Sequence, residues 1–596
     1  MLVTQRLMGI GVWVIIIGAW ISMYLLYALM TPTHYALQSA SPHIQPLLQH
    51  MYLPEEAADG TRYRWTQPES AVEWAGLPVG TPVIATVQLA DVGAPRELRV
   101  NNLQTLIQGR RTIQLLLADT PLDSQQTVTI SAPEFTVPGD TRVLGVRLLA
   151  VGVALVGPQT LPFMTIISGI WLAGVLALSL GLLRRSWWFV GVIAAPIIVI
   201  VLTSLNPLHA AQWMRGLAGV STIIPVVIFV GRRWIPTSLL VVTSGVFAVR
   251  VWGIMYPPFA GHDYAIHLRR LMRFHDGAAV LTDNPYEFGQ RVSIILPYYY
   301  RFADALSTLV GHHLALHGVM ITSETALGVV VWLLVRRAGV SERTAQLAGI
   351  LTLLWPMSSA VLWWSFMPQI TAHLLAIMVA YAAIRQDRRG AYLAAVCLAL
   401  IATLHVGEFM VAAVWYGLLR ISEQDVFRRV WWQRTLPVLA VVPIPVVLYW
   451  SIVQSFGGAN TDTTGSLSIM THLNDVLPRM LTAAIVAWQP IPVWAAPIVI
   501  GMAVWGLNRL GWAWLGVGVT FWLVELITQA QVRYLYTITP LLASGFAISM
   551  MPIWRKGYAG RLFVLCLVGF VAWVSVALWI DGVMGWQKPR VDGLTH

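Results

Sequence analysis

Ten residues, Gly261-His-Asp-Tyr-Ala-Ile-His-Leu-Arg-Arg270, carry an acid, two imidazoles and two guanidiniums directly after the apolar run TSLLVVTSGVFAVRVWGIMYPPFA. Asp263, His267 and Arg270 follow an i, i+4, i+7 spacing, which puts them on one face if the segment is helical. Pro257, Pro258 and Gly261 suit a turn into such a helix, with Asp263 as its N-cap or first-turn acid. One reading stops at that cap and a solvated basic loop. The other is a carboxylate at a membrane edge that takes a proton from a hydroxyl while the nearby cations receive a phosphate leaving group.

Other residues bear on the choice. The stretch 255–313 is long for a connection and contains RFHDG, LTDNPYEFGQR and LPYYYRFADALSTLVGHH. The last reads as an amphipathic helix lying along an interface, with Tyr298, Tyr299 and Tyr300 as anchors rather than stacking platforms. Asp283 and Glu287 are candidate ligands, although loop carboxylates usually just face water. Arg533, in TQAQVRYLYTITP, suits either snorkelling or phosphate binding. Glu324 and Glu525 fall within apolar segments, where an ionisable group usually faces a cavity. His405, Gly407 and Glu408 fall at a turn between two short apolar stretches. Residues 453–480, rich in Gly, Ser and Thr, suit a mobile lid. No P-loop, HExxH or GxSxG in a fitting context is present, and no inverted repeat stands out.

Composition decides what must position these groups. The chain has 596 residues, 57% hydrophobic and 11% charged, against roughly 25% charged in soluble proteins. Mean hydropathy is +0.68. This is a polytopic membrane protein. Its 38 Lys+Arg over 27 Asp+Glu fit basic cytoplasmic loops and need no nucleic-acid partner. Cys397 and Cys566 sit in apolar runs, so neither a disulfide framework nor a cysteine metal site is expected.

Residues 1–30 read as an uncleaved signal-anchor helix. Between 31 and 160, alternating runs such as TPVIATVQLAD and QTVTISAPEF predict an extracytoplasmic β-sandwich-like domain. It suits either glycan binding or a structural cap. Apolar segments at 161–183, 187–205, 214–231, 235–254, 314–335, 344–362, 368–384, 390–404, 408–420, 435–454, 490–508, 511–528, 534–552 and 561–580 bring the expected spans to about fifteen. This divides the chain into an N-terminal module (161–254), an outer loop (255–313), a membrane core (314–580) and an outer tail (581–596). Alternate connections are Arg-rich, which predicts the N-terminus inside and the 255–313 loop outside. The register holds only if GAYLAAVCLALIATLHVGEFMVAAVWYGLLR folds as two short helices turning at HVGE.

In this order the elements resemble the GT-C glycosyltransferases, which use polyprenyl-phosphate-linked sugars. The resemblance covers roughly 235–555. It rests on GHDYAIHLRR with LPYYYRFADALSTL, on LALIATLHVGEFMVAAVWYGLL, and on RYLYTITPLLASG. It implies a membrane glycosyltransferase that moves a sugar from a polyprenyl-phosphate donor to an extracytoplasmic glycan, lipid or protein acceptor with inversion. Asp263 would be the base, His267 its orienting partner, and Arg270, His405 and Arg533 contacts to donor or phosphate. Glu324, Glu408 and Glu525 would line the cavity. The implied setting is the cytoplasmic membrane with the site facing out. No cofactor is required, and a divalent metal is compatible. Two features depart from the family pattern: Asp263 lacks an adjacent second acid, and four spans with a β-domain come before the span that leads into its loop, where the family's loop follows the first span. The competing classes are a transporter or lipid flippase, and a non-catalytic glycan-binding relative.

Overall fold

A computed structural model describes residues 2–30, 33–41, 44, 47–74, 76–91, 93, 95–121, 125–137, 140, 142–157, 161–205, 210–256, 259, 261–278, 281–283, 293–295, 298–445, 447, 478, 489–528 and 536–584. The chain forms two compact units, Met1–Gly231 with Met255–Pro258, and Arg232–Ile254 with Phe259–His596.

The first unit opens with helix α1 (Leu2–Met30) and continues into strands β1 (His34–Gln38), β2 (Leu48–Glu56), β3 (Arg62–Trp74), β4 (Val83–Ala90), β5 (Arg96–Val100), β6 (Leu103–Ile107), β7 (Arg110–Leu117), β8 (Gln126–Ser131) and β9 (Arg147–Leu155). The β-rich segment is one nine-stranded sheet rather than two separate ones. Its path is β6-β5-β8-β3-β9-β4-β7, with β1 added to β9 and β2 to β3. The long strand β3 makes this continuity: Arg64 and Trp65 pair with β9, while Glu69–Trp74 pair with β8. Alternation fills the core, as in β4, where Val83, Ala85, Val87 and Leu89 are buried with Val128, Ile130, Val151 and Val153 from other strands. Helices α2 (Phe163–Leu183), α3 (Trp188–Leu205), α4 (Ala210–Ser221) and α5 (Ile223–Gly231) complete this unit.

The second unit is helical. It comprises α6 (Thr237–Ile254), α7 (Tyr264–His275), α8 (Tyr298–Val310), α9 (His312–Arg337), α10 (Glu342–Leu354), α11 (Pro356–Trp364), α12 (Met367–Ile384), α13 (Arg388–Leu404), α14 (Val406–Ile421), α15 (Arg429–Leu439), α16 (Ala496–Leu507), α17 (Arg509–Thr528), α18 (Thr539–Trp554) and α19 (Tyr558–Met584). A small hairpin, β10 (Leu281–Asp283) with β11 (Ser293–Ile295), lies between α7 and α8.

Among the described residues nine segments are long and apolar enough to cross a membrane, fewer than the fifteen or so expected. Two of the nine contain a break. The 344–362 segment bends at Trp355, whose extended backbone (ψ 134°) is what a following proline imposes, and the 214–231 segment divides between α4 and α5. Helices α13 and α14 have 17 and 16 residues, about 25 Å each. They are separated at His405, whose backbone is extended at φ −157°, ψ 112°.

The bundle's two ends differ in chemistry. Arg420 Nη2 donates to Ala383 O at the C-terminal end of α12 (2.6 Å), and Arg509 Nη1 lies 3.9 Å from Glu423. Arg388 Nη2 donates to Gln433 Oε1 at 3.1 Å. Thus the Arg-bearing connections after α12, α14 and α16 gather at one end. The Gly261–Asp263 turn is at the other, bonded to the residues immediately before α12.

Candidate functional site

Glycine at 261 is required twice over: its φ is +75°, and a Cβ there would collide with the Ser365 hydroxyl. Ser365 closes α11 in the left-handed conformation, φ 62° and ψ 43°. The two bent backbones lock together, His262 N–H donating to Trp363 O (3.0 Å) and Asp263 N–H to Trp364 O (3.2 Å). The His262 ring packs on Trp364 with centroids 4.1 Å apart. Trp363 is in turn fixed by its indole N–H, which donates to Gly582 O at 3.0 Å.

Asp263 occupies the N-cap position of α7, but its side chain makes no capping hydrogen bond. One carboxylate oxygen instead meets His262 Nδ1 at 2.9 Å, with the two side chains 17% and 39% exposed. An acid that would normally satisfy the helix end is held against an imidazole near the surface. The partner is His262, where helical spacing had suggested His267. The i+4 rule applies only within the helix, and Asp263 precedes its first turn.

His267 points into the protein and is 5% exposed. Its Nδ1 lies 2.7 Å from Tyr300 Oη, and the rings stack at 6.0 Å. Arg270 Nη1 also donates to that phenol oxygen, at 3.4 Å. The phenol therefore accepts from Arg270 while its own hydrogen remains available to His267. Tyr299 donates to Leu316 O (2.7 Å), and both Tyr299 and Tyr300 are buried. Only Tyr298 of the three has the exposure of an interfacial anchor. It lies on α8 with Phe302, Leu309 and Val310, all exposed. α7 is held further by His275 Nδ1 on Asp304 (3.0 Å) and by Tyr264 against His313, centroids 4.9 Å apart. Burial raises the pKa of the Tyr264 phenol.

A second polar group begins in the first turn of α12. Gln369 Nε2 donates to Glu408 Oε1 at 3.2 Å, and His373 Nδ1 lies 3.4 Å from Glu408 Oε2. His405 caps α14 by accepting Glu408 N–H on Nδ1 at 3.2 Å. The His373 ring is 4.6 Å from that of Tyr536, which donates to Glu324. Arg250 is 3% exposed and donates to Leu353 O at 2.9 Å.

The structure therefore joins Glu324, Glu408 and His405 in one group, pairs Asp263 with His262, and brings His267 and Arg270 together at Tyr300. The 363–369 stretch connects them. Arg533, Glu287 and residues 453–477 lie outside the described residues, as do the side chains of Asp283 and Glu525. Sequence reasoning missed His262, Tyr300, Arg250, Gln369, His373 and Tyr536. Arg250 and His373 carried a usable signal, since each is an ionisable residue inside an apolar segment. Among the described residues no three His, Cys, Asp or Glu side chains are grouped to hold a metal ion.

No family model matches the sequence, and no curated protein matches it. Among solved structures it is similar to the Archaeoglobus fulgidus oligosaccharyltransferase. With that enzyme tethered to an acceptor peptide, the TM-score is 0.38 at 12% identity over 59% of this chain and 55% of that one. For its apo form the TM-score is 0.37 at 11% identity, over 62% and 57%. With its zinc and sulfate complex it is 0.36 at 13% identity, over 59% and 53%. The chain thus spans little more than half the length of these structures.

Proposed function

We propose that this chain is a multi-pass membrane glycosyltransferase of the GT-C type, acting on a polyprenyl-phosphate-linked sugar at the outer face of the cytoplasmic membrane. The observation that carries the reading is the Asp263–His262 pair. Its carboxylate is freed from helix capping, partly shielded, and fixed at the end of a membrane bundle opposite the Arg-rich connections. By the positive-inside rule that end is extracytoplasmic.

In this reading Asp263 removes the proton of an acceptor hydroxyl as its oxygen attacks the anomeric carbon. The bond from that carbon to the phosphate oxygen breaks, with inversion. The lipid phosphate leaves with the electron pair, and His262 steadies the carboxylate. Arg270, held by Tyr300, supplies positive charge to the departing phosphate, with His405 and Arg533 as further donor contacts. The exposed apolar side of α8 keeps the loop at the lipid surface, where donor and acceptor meet.

One observation bears on the transporter alternative. Below His373, the buried positions of α12 are Ala376, Ile377, Val379, Ala380, Ala382 and Ala383. This part of α12 spans about 15 Å. The buried face of α12 is apolar over that length, which suits a site open to one face better than a polar route along this helix.

The test is transfer by the purified, reconstituted chain from a radiolabelled polyprenyl-phosphate sugar to cell-envelope acceptors. Transfer is expected for the wild type and not for Asp263→Asn. Undiminished transfer by the variant would overturn the mechanism.

A further inference from the structure

Helices α6, α10, α11 and α19 of the second unit enclose a slot of about 240 Å³. Val242, Gly245, Val246 and Val249 line it from α6, Leu353 from the break between α10 and α11, and Val576 from α19. Its polar lining residues are already engaged: Arg250 Nη2 donates to Leu353 O, and the Ser359 and Ser575 hydroxyls lie 2.9 Å apart. What faces the slot is almost wholly apolar, and such a space takes hydrocarbon rather than water. Gly245 creates the opening. At Gly253, α6 and α19 touch: an added Cβ would collide with the Trp579 ring, whose indole N–H donates to Val249 O at 3.3 Å. About two turns lower, a Cβ on Gly245 would meet nothing within 4 Å. Gly245 is exposed, as is Val576, so the slot opens on the outside of the bundle.

The walls of the slot lead to the residues that fix Asp263. α11 ends in Trp363 and Trp364, whose carbonyls receive the His262 and Asp263 N–H groups. α19 supplies Gly582 O, which accepts the Trp363 indole N–H, and α6 runs on into the loop that carries Asp263. Along these helices the slot lies roughly 6–9 Å from the Asp263 end. We propose that the slot seats the first isoprene units of the donor's polyprenyl chain, so that the phosphate end reaches the Asp263 turn. The inference deepens the glycosyl-transfer reading and rests on it. Hydrophobicity cannot select the chain, because lipid tails surround the bundle; packing must do so. A polyprenyl chain carries a double bond and a methyl branch in every unit. It is stiffer than a saturated acyl chain and loses less freedom when held. The recess at Gly245, between valines, receives a methyl branch.

The intact chain in nanodiscs is irradiated with a polyprenyl phosphate that carries a diazirine on the isoprene units next to the phosphate, and the adducts are located by mass spectrometry. Labelling is expected between Val242 and Val249 and on Leu353 or Val576. Unlabelled polyprenyl phosphate should compete it away, and the same amount of phosphatidylglycerol should not. Gly245→Leu fills the recess and should abolish this labelling; leucine also favours the helix more than glycine does. Gly569→Leu, at another exposed α19 glycine where a Cβ meets nothing within 4 Å, should leave the labelling intact. Adducts confined to other helices, equal competition by phosphatidylglycerol, or unchanged labelling of Gly245→Leu would each overturn the proposal. If Gly245→Leu fails to fold, the position of the adducts and the competition decide. Labelling is read without a sugar, so the two readings fail separately. Slot labelling in a chain that transfers nothing would sink the glycosyl-transfer reading, and transfer without slot labelling would sink this one.

Discussion

His262 Nδ1 stands 2.9 Å from Asp263 Oδ1, while the Asp263 side chain leaves the N-terminus of its own helix uncapped. Capping and chemistry make opposite forecasts for one substitution. A lost N-cap costs about 1 kcal/mol, whereas a carboxylate that does not cap can be truncated with little effect on folding. Asp263→Ala is therefore expected to unfold within about 0.5 kcal/mol of the wild type and to lose transfer by roughly 10²–10⁴-fold. Thermal unfolding and single-turnover transfer, measured on one preparation, separate the two.

Gly261 and Ser365 are the next pair to break. A methyl group at 261 meets the Ser365 hydroxyl and forces a left-handed φ on a residue with a side chain. The strain costs on the order of 1–3 kcal/mol, and relaxing it moves the Asp263 carboxylate. Gly261→Ala should cut transfer severely with only a moderate drop in melting temperature. Adding Ser365→Gly removes the colliding hydroxyl and suits the left-handed backbone at 365, so the double variant should recover part of the lost activity. No recovery would mean that the 363–365 turn does not position the acid.

Tyr300 serves His267 and Arg270 through one oxygen. Tyr300→Phe keeps the ring stack but strips a hydrogen-bond partner from a buried imidazole, at a cost of about 1–3 kcal/mol. It also removes one contact of Arg270. The expected result is lower stability together with weaker donor binding, seen as a KM increase larger than the fall in kcat. A change in stability alone would confine Tyr300 to packing.

How much of this was legible from residue order depends on the length scale involved. The apolar segments, the alternating strands and the break at His405 are set by local composition and period, and each stands out in sequence. Asp263 was legible as a charged residue at a span's end. Its partner was not, because the choice between His262 and His267 depends on where the helix begins. That boundary is set by Trp363 and Trp364, about a hundred residues away. Tyr300 looked like an anchor because α8 is amphipathic, yet the side on which each tyrosine falls follows from contact with α7. Glu324 and Glu408 were visible as isolated acids. Their connection through Tyr536 and His373 requires four separate segments to pack together, and no local pattern encodes that.

At the opposite end, Asp387 caps α13 by accepting Gly390 N–H and pairs with Arg385 at 2.9 Å. The Arg385 guanidinium and that backbone N–H hold its carboxyl below the usual range. A lowered folded-state pKa gives stability that is full above the unfolded value and is lost as pH falls through the folded one. The contribution should therefore disappear on acidification below about pH 4. Asp387→Asn keeps a cap and should flatten this acid limb, while Asp387→Ala should cost about 1 kcal/mol near neutrality. Unfolding curves at several pH values for the three proteins check it.

Glu423 carries the firmest stability forecast. Its side chain is 1% exposed against Arg420 at 3%, with Arg509 at 3.9 Å and Arg434 at 4.0 Å. Removing one partner of a buried pair leaves the other charge unpaired, at a cost of about 3–5 kcal/mol. Glu423→Leu alone should therefore be strongly destabilising. Arg420→Met with Glu423→Leu removes both charges. Arg434 keeps Asp425 at 3.4 Å, so it is not left bare, and Arg509 is partly exposed to water. The double variant should then regain most of the loss, since a buried ion pair replaced by apolar side chains is often near neutral. Thermal unfolding of the two single variants and the double variant in micelles gives the coupling. If the double variant were as unstable as Glu423→Leu, the stability would come mainly from the Arg420 bond to Ala383 O, which fastens α14 to the end of α12.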